Sequence, residues 1–132
     1  MSGAAIALRR AVVAALREHG PLADGLTGMF DTPPPGQAYP YLSFGPDTTA
    51  DASHKTGEGR DHRLQLSLWD DGPDTTRLMA LMAEVENALA ALPGDIGDHR
   101  LVSLRLSRGL VLRDPLGVDQ GVMEFRARTY AV

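Results

Sequence analysis

Apolar side chains recur with helical spacing in two segments of the chain, residues 2–19 and 73–92. Their steps of three and four place them on one side of a helix, because 3.6 residues complete a turn. Gly20-Pro21 and Pro93-Gly94 end the two predicted helices, since proline cannot continue a helix, and Ser2 is positioned to cap the first. The apolar stripes are Ala5, Leu8, Val12, Ala15 and Leu16, and Leu78, Met82, Val85, Leu89 and Leu92.

Strand-like alternation characterises most of the remaining chain. It predicts strands over residues 41–44, 62–69, 101–112 and 122–130, with a further short strand around residues 29–30. Gly109 is expected to mark a bulge or bend. Successive side chains of a strand point to opposite faces, so each strand has a predicted core face. The core-facing positions are Leu64, Leu66 and Leu68; Val102, Leu104 and Leu106; and Met123, Phe125 and Ala127.

Two segments lack either pattern. Residues 20–40 contain three consecutive prolines and read as an extended connector. Residues 46–60 are rich in Thr, Gly and charged side chains with almost no apolar ones, which predicts a long polar loop or a hairpin excursion. Because no apolar side chain anchors this loop, we expect it to be mobile in an isolated subunit.

The order of the main elements is α-β-β-α-β-β. Helices with one apolar stripe and strands with one apolar face predict an α+β fold, an antiparallel sheet with two helices packed on one face. The whole chain, residues 1–132, forms one domain in this prediction. Leu66 and Phe125 should be buried against the helix stripe that includes Val85.

Composition narrows the possible functions. The chain has a net charge of −4, so we do not expect direct binding to nucleic acid to be its main function. It has no cysteine, which excludes disulfides and zinc-thiolate sites. The N-terminus lacks the charge order of a signal peptide, and no apolar run is long enough to span a membrane. We therefore expect a cytoplasmic protein.

Candidate catalytic and metal-binding motifs are few. The four histidines, His19, His54, His62 and His99, show no ligand-pair spacing and read as solvated turn or strand-edge residues. Residues 57–60 lack the spacing of a phosphate-binding loop, and a strand follows them instead of a helix. We expect no catalytic residue, no metal and no cofactor.

Two features are unusual enough to suggest a function. The predicted outer face of the sheet carries arginines, and the polar loop projects beside it. A small sheet protein with open edges and a projecting loop has what a ring subunit needs. The candidate interface residues are Lys55, Gly57, Glu58, Arg60, Arg63, Arg105, Arg126 and Arg128.

Five short segments, taken in order, resemble the tail-completion (tail terminator) proteins of siphophages and of the gene transfer agents derived from them. The resemblance runs from about residue 40 to the C-terminus, and the N-terminal helix agrees in position. The segments are residues 47–49, residues 55–64 (KTGEGRDHRL), residues 85–89 (VENAL), residues 99–102 (HRLV) and residues 111–115 (VLRDP).

This resemblance implies a virion structural protein. Such proteins form a ring, usually of six subunits, at the head-proximal end of the tail tube, where they stop tube polymerisation and meet the head connector. The implied partners are further copies of the chain, the tail tube protein and the connector, with no membrane and with DNA only passing through the lumen. The implied location is the cytoplasm during assembly and then the particle.

Two alternatives to this reading remain open from the residues. One is a small enzyme that uses Asp/His chemistry, which predicts a concave pocket with titratable groups of perturbed pKa. The other is a monomeric protein-binding module, which predicts one exposed apolar patch.

Overall fold

A computed structural model describes residues 3–55 and 57–132 of the chain. The described residues form three helices and six strands in the order α1, α2, β1, β2, β3, β4, α3, β5, β6. The helices are α1 (Gly3–Glu18), α2 (Gly20–Gly25) and α3 (Thr76–Ala90). The strands are β1 (Met29–Phe30), β2 (Tyr41–Phe44), β3 (Thr48–Asp51), β4 (Gly59–Asp70), β5 (His99–Arg113) and β6 (Asp119–Ala131).

All six strands belong to one sheet, in the order β1-β2-β4-β6-β5 with β3 also paired to β4. The pairs are antiparallel except β1 with β2, which run parallel. Strands β2 and β3 occupy the same side of β4, one after the other, and are separated by a bend at Gly45, whose φ is +98°. Strand β5 forms the other, long edge of the sheet.

The helices cover one face of this sheet. Helix α3 lies against β4, β5 and β6, and α1 lies against α3 and the β5–β6 pair. As predicted, Leu66 and Phe125 are buried in one cluster with Val85. Helix α3 comes so close at Gly121 that an added Cβ there would lie 2.7 Å from the sulfur of Met82.

Arg9 ties α1 to the β2–β3 edge of the sheet. Its guanidinium lies 2.5 Å from a carboxylate oxygen of Asp31 and 2.6 Å from one of Asp47, and it sits 4.8 Å above the ring of Phe44. A guanidinium suits this position because its fork can serve two carboxylates while its face stacks on an aromatic ring.

The α+β class and one-sided packing are as predicted, but the number of helices is not. The connector predicted over residues 20–40 contains α2, which begins with Pro21 in its first turn and buries Leu22. Six residues are too few to show a period in the sequence. Helix α3 starts at Thr76, three residues later than predicted, and the predicted cap at Ser2 lies outside the described residues.

The segment 46–60 is the hairpin of the two predicted alternatives. Strand β3 pairs with β4 from Thr48 opposite Arg63 to Asp51 opposite Arg60. The first residues of β3 are threonines, whose β-branched side chains favour strands despite their polarity. Backbone hydrogen bonds to β4 hold this segment in the sheet although it has few apolar side chains. Its polar composition therefore did not reveal the strand.

The predicted phase of β5 is wrong at its start. The pairing with β6 is irregular between Leu101 and Ser103 and again between Leu106 and Arg108. Leu101 is therefore buried and Val102 is 52% exposed, the reverse of a regular alternation. Gly109, where the bulge was predicted, pairs in register with Met123.

Candidate assembly interface

The face of the sheet opposite the helices carries no helix in the described part of the chain, and we call it the open face. Successive side chains of a strand alternate between the two faces of the sheet, so the open face carries every second side chain of each strand. Arg63 of β4 and Arg126 of β6 lie on this face. A sheet normally buries its apolar face and exposes its polar face to solvent or to a partner. The side chains of the open face therefore indicate what kind of surface it could contact. Its members include Asp61, Arg63, Gln65, Ser67 and Trp69 of β4, Val122, Glu124, Arg126 and Arg128 of β6, and Ser103, Arg105, Arg108, Leu110 and Leu112 of β5.

Three arginines form a row across the centre of the open face, and we call them the arginine row. Arg63 lies directly opposite Arg126, and Arg126 lies directly opposite Arg105. All three are exposed, and none makes an ion pair with a described carboxylate within 4.0 Å. Like charges directly opposite in a sheet are destabilising. The row therefore presents positive charge that the described part of the subunit leaves uncompensated by contact.

The fourth predicted arginine on this face is paired within the subunit. Arg128 donates to both carboxylate oxygens of Asp61, at 2.8 and 3.3 Å. Hydrogen bonding by Arg128 holds the pKa of Asp61 below its ordinary value, and the same bond raises the pKa of Arg128. The pair flanks the arginine row, and together they line a shallow cavity with a volume of about 500 Å³.

The other end of the open face is aromatic and aliphatic. Tyr41 stacks between Tyr39 and Trp69, with ring centroids 5.4 and 6.4 Å away. The indole nitrogen of Trp69 donates to Ser43 Oγ at 2.9 Å, so the polar atom of the ring has a partner within the subunit. Leu110 and Leu112 of β5, which are 36% and 46% exposed, lie at the same end of the face. Gln120 and Val122 of β6 separate them from β4. The open face thus has a basic part and a part with exposed aromatic and aliphatic side chains.

The hairpin residues predicted for the interface lie apart from the arginine row. Lys55, Gly57 and Glu58 are exposed at the end of the β3–β4 hairpin. Arg60 is half-buried on the opposite side of β4 from Arg63, and its guanidinium bonds to Asp51 at 3.0 Å. The structure therefore assembles four of the eight predicted residues, Arg63, Arg105, Arg126 and Arg128, into one surface and places the other four elsewhere.

A buried polar network that joins β3, β4 and β6 was missed by the sequence prediction. His62 is 2% exposed, contrary to the solvated position expected for it. Its Nε2 lies 2.8 Å from Thr129 Oγ1 and its Nδ1 lies 3.2 Å from Thr49 Oγ1. Burial lowers the pKa of His62, an effect that the nearby Asp61 carboxylate opposes. His62 stands two residues before Leu64, so in a strand the two side chains lie on the same face. This spacing was the signal in the sequence that could have predicted a buried His62.

Two other features of the described residues bear on function. No group of three or more His, Cys, Asp or Glu side chains in residues 3–55 and 57–132 is arranged to hold a metal ion. Within the same residues, no helix combines the length and the apolar character needed to cross a membrane.

Comparison with solved structures indicates the class of protein to which this fold belongs. The chain is similar to a chain in the structure described as the virion of a native gene transfer agent (GTA) particle, with 34% identity, coverage of 99% of this chain and 100% of that chain, and a TM-score of 0.86. It also shares its fold with the gp17 protein of bacteriophage SPP1, at 21% identity, with 99% and 92% coverage and a TM-score of 0.63. The chain is a structural protein of a phage-like tail.

The family follows from a sequence comparison. The model of the family described as Tail completion protein gp17 matches residues 5–130, nearly the whole of the 132-residue chain. The chain belongs to this family, whose members are structural tail proteins, and the family predicted from the sequence segments is confirmed. No significant match was found among curated proteins.

Proposed function

We propose that the chain forms a closed ring, of six copies, that terminates the tail tube and joins it to the head connector. A closed ring of identical subunits uses heterologous contacts, in which one patch of each subunit meets a different patch of the next. The chain offers two unlike surfaces of this kind, since helices cover one face of the sheet and no helix of residues 3–55 and 57–132 covers the other. In this proposal the protein acts through contacts alone, without catalysis, metal or cofactor.

The observation that carries the proposal is the arginine row, which makes no ion pair with a described carboxylate of the subunit. The chain has a net charge of −4, yet three arginines lie side by side on its bare sheet face. A cross-strand arrangement that destabilises the subunit makes sense where an acidic surface of another subunit covers it. Charge complementarity of this kind selects partners and fixes their register more than it adds affinity.

The remaining partners follow from the position proposed for the ring. One side of the ring would meet the tail tube protein and the other the head connector, with DNA passing through the lumen and no membrane involved. Assembly would take place in the cytoplasm before the chain becomes part of the particle. Lys55 and Glu58, at the exposed hairpin end, are the residues we propose to reach a neighbour or the tube, whereas Arg60 would serve the hairpin itself through Asp51.

Reversing the central charge of the row separates assembly from folding. In the Arg126→Glu variant the row reads Arg-Glu-Arg, so two repulsive pairs become attractive ones. Opposite-charge pairs across strands contribute about 0.2–1 kcal/mol each, so thermal unfolding should show a subunit at least as stable as the wild type. The same change lowers the charge of the row from three positive charges to one, so it should weaken the attraction for an acidic neighbour and give tails of irregular length or tails without heads.

The matched control is Arg17→Glu, which reverses an exposed arginine on α1, away from the open face. Electron microscopy of particles from cells that carry each variant as the only copy of the gene gives the comparison. Normal tails with Arg126→Glu would refute the role proposed for the arginine row. Irregular tails with Arg17→Glu as well would mean that net charge alone is responsible.

A further inference from the structure

A large apolar groove lies on the helix side of the molecule, between α1 and the segment 91–99 that leads into β5. Its volume is about 980 Å³. Ile6, which is 50% exposed, and several alanines of α1, Ala14 among them, form one wall, and Leu92 and Ile96 belong to the other. Large exposed apolar surfaces are rare on soluble monomeric proteins and usually mark a binding site.

The rim of this groove carries three acidic side chains and one arginine. Glu18, Asp95, Asp98 and Arg10 line it, and all four are exposed. The carboxylate of Asp95 accepts a hydrogen bond from the backbone of Gly97, whereas those of Glu18 and Asp98 have no hydrogen-bond or ion partner among the described residues. The acidic side chains outnumber the arginine, so the groove suits a segment with an apolar tip and a basic side chain beside it.

The turn between β5 and β6 has these properties. Leu116, at its end, is 91% exposed, the highest value among the large apolar side chains of the described residues. The backbone N–H of Leu116 donates a hydrogen bond to Oδ1 of Asp114 at an N···O distance of 2.9 Å, which holds the turn. Arg113, the last residue of β5, adjoins the turn. Its side chain is 59% exposed, and its Nε lies 3.2 Å from Asp119 Oδ1. The turn is thus an apolar tip with one arginine beside it.

The groove and the turn lie at opposite ends of one strand. His99, the first residue of β5, lines the groove, and Arg113, the last, adjoins the turn. Fifteen residues of strand span about 45 Å, so a subunit cannot place its own turn in its own groove. A neighbouring copy that is rotated about the axis of a closed ring can, and such a contact is heterologous, as a ring requires.

We propose that Leu116 of each subunit inserts into the α1/91–99 groove of the next copy of the chain. Burial of the leucine supplies apolar contact, and the exposed side chain of Arg113 approaches the acidic residues of the rim. This inference rests on the proposed ring, and it names a contact between neighbouring subunits in addition to the one proposed for the arginine row.

Cysteine crosslinking tests the contact, because the chain contains no cysteine of its own. Leu116→Cys combined with Ala14→Cys places one thiol in the turn and one in the groove wall. A disulfide forms only where Cα atoms come within about 7 Å. Oxidised particles that carry this pair should yield covalent multimers of the chain, whereas Leu116→Cys combined with Ala80→Cys, an exposed alanine of α3 outside the groove, should yield none.

Uncrosslinked subunits in particles with tails of normal length would overturn the contact and leave the ring proposal intact. Equal crosslinking through Ala80 would overturn it as well. The ring proposal fails by a different result, normal head-joined tails in cells that lack the gene.

A truncation keeps the contact testable if the thiols themselves hinder assembly. Leu116→Ala removes the apolar end of an exposed side chain, so the subunit should melt as the wild type does while its incorporation into particles falls several-fold. Met79→Ala, which truncates a side chain that is 56% exposed on α3, is the control and should incorporate normally. Equal incorporation of the two variants would overturn the proposal.

Discussion

Single residues of this chain take their positions from strand parity, and the exceptions have identifiable causes. Alternation correctly predicted which side chains of β4 and β6 face the helices, because both strands run without irregularity through their pairing. The same rule failed for Val102, since a register shift after Leu101 reverses the parity, and a shift in hydrogen bonding leaves no mark in a run of Val, Ser and Leu. His62 was predictable by parity but was judged by its polarity.

Phe125 tests the core at this scale. It is 3% exposed in the cluster that joins β6 to the helices, so Phe125→Ala should lower the free energy of unfolding by about 3–5 kcal/mol through lost contact and cavity formation. Val122, half-buried on the open face of the same strand, gives the control, and Val122→Ala should cost clearly less. Chemical denaturation that found equal losses would contradict the assignment of the two faces.

His62 makes the stability of the subunit depend on pH. Its folded pKa is lowered by burial, so the unfolded chain takes up a proton first as the pH falls below the ordinary histidine value of about 6.5. Stability from this group is fully present above that pH and is lost as the pH falls toward the folded pKa. The melting temperature should therefore drop between pH 7.5 and 5.5, and less steeply in His62→Gln. Equal slopes for wild type and His62→Gln would contradict the account.

At the scale of elements, long segments with a clear period were predicted well and short ones were not. Helices α1 and α3 each repeat an apolar stripe over several turns, and their existence was evident. Helix α2 has six residues and β3 has four, too few to establish a period. Their formation depends on what they contact, since Leu22 fills the core and β3 completes the ladder of β4.

The β3–β4 hairpin can be tested by limited proteolysis. Lys55 is exposed at the hairpin end, whereas Arg60 is half-buried in paired strand and bonded to Asp51. Exposed turns are cut before paired backbone, so trypsin should cleave the native subunit after Lys55 much faster than after Arg60. Lys55→Gln should remove the early fragment. Cleavage at both sites at the same rate would mean that the segment is the mobile loop expected from its composition.

At the scale of the whole molecule, the one-sided packing of helices leaves a bare sheet face, and this arrangement relates fold to function. The predicted arginines of that face came together because parity and register place Arg63, Arg126 and Arg105 in line. Register between distant strands cannot be read from a sequence, so the row itself emerged only from the fold. The groove likewise joins α1 to residues more than 70 positions away.

The position of the chain in an assembled particle tests the central claim most directly. A cryo-EM map of the particle should show one ring of six copies between the end of the tail tube and the head connector, with the arginine row of each copy covered by an acidic surface of a neighbouring subunit. A map that placed the chain elsewhere in the particle, or as an isolated subunit with the arginine row facing solvent, would contradict the account.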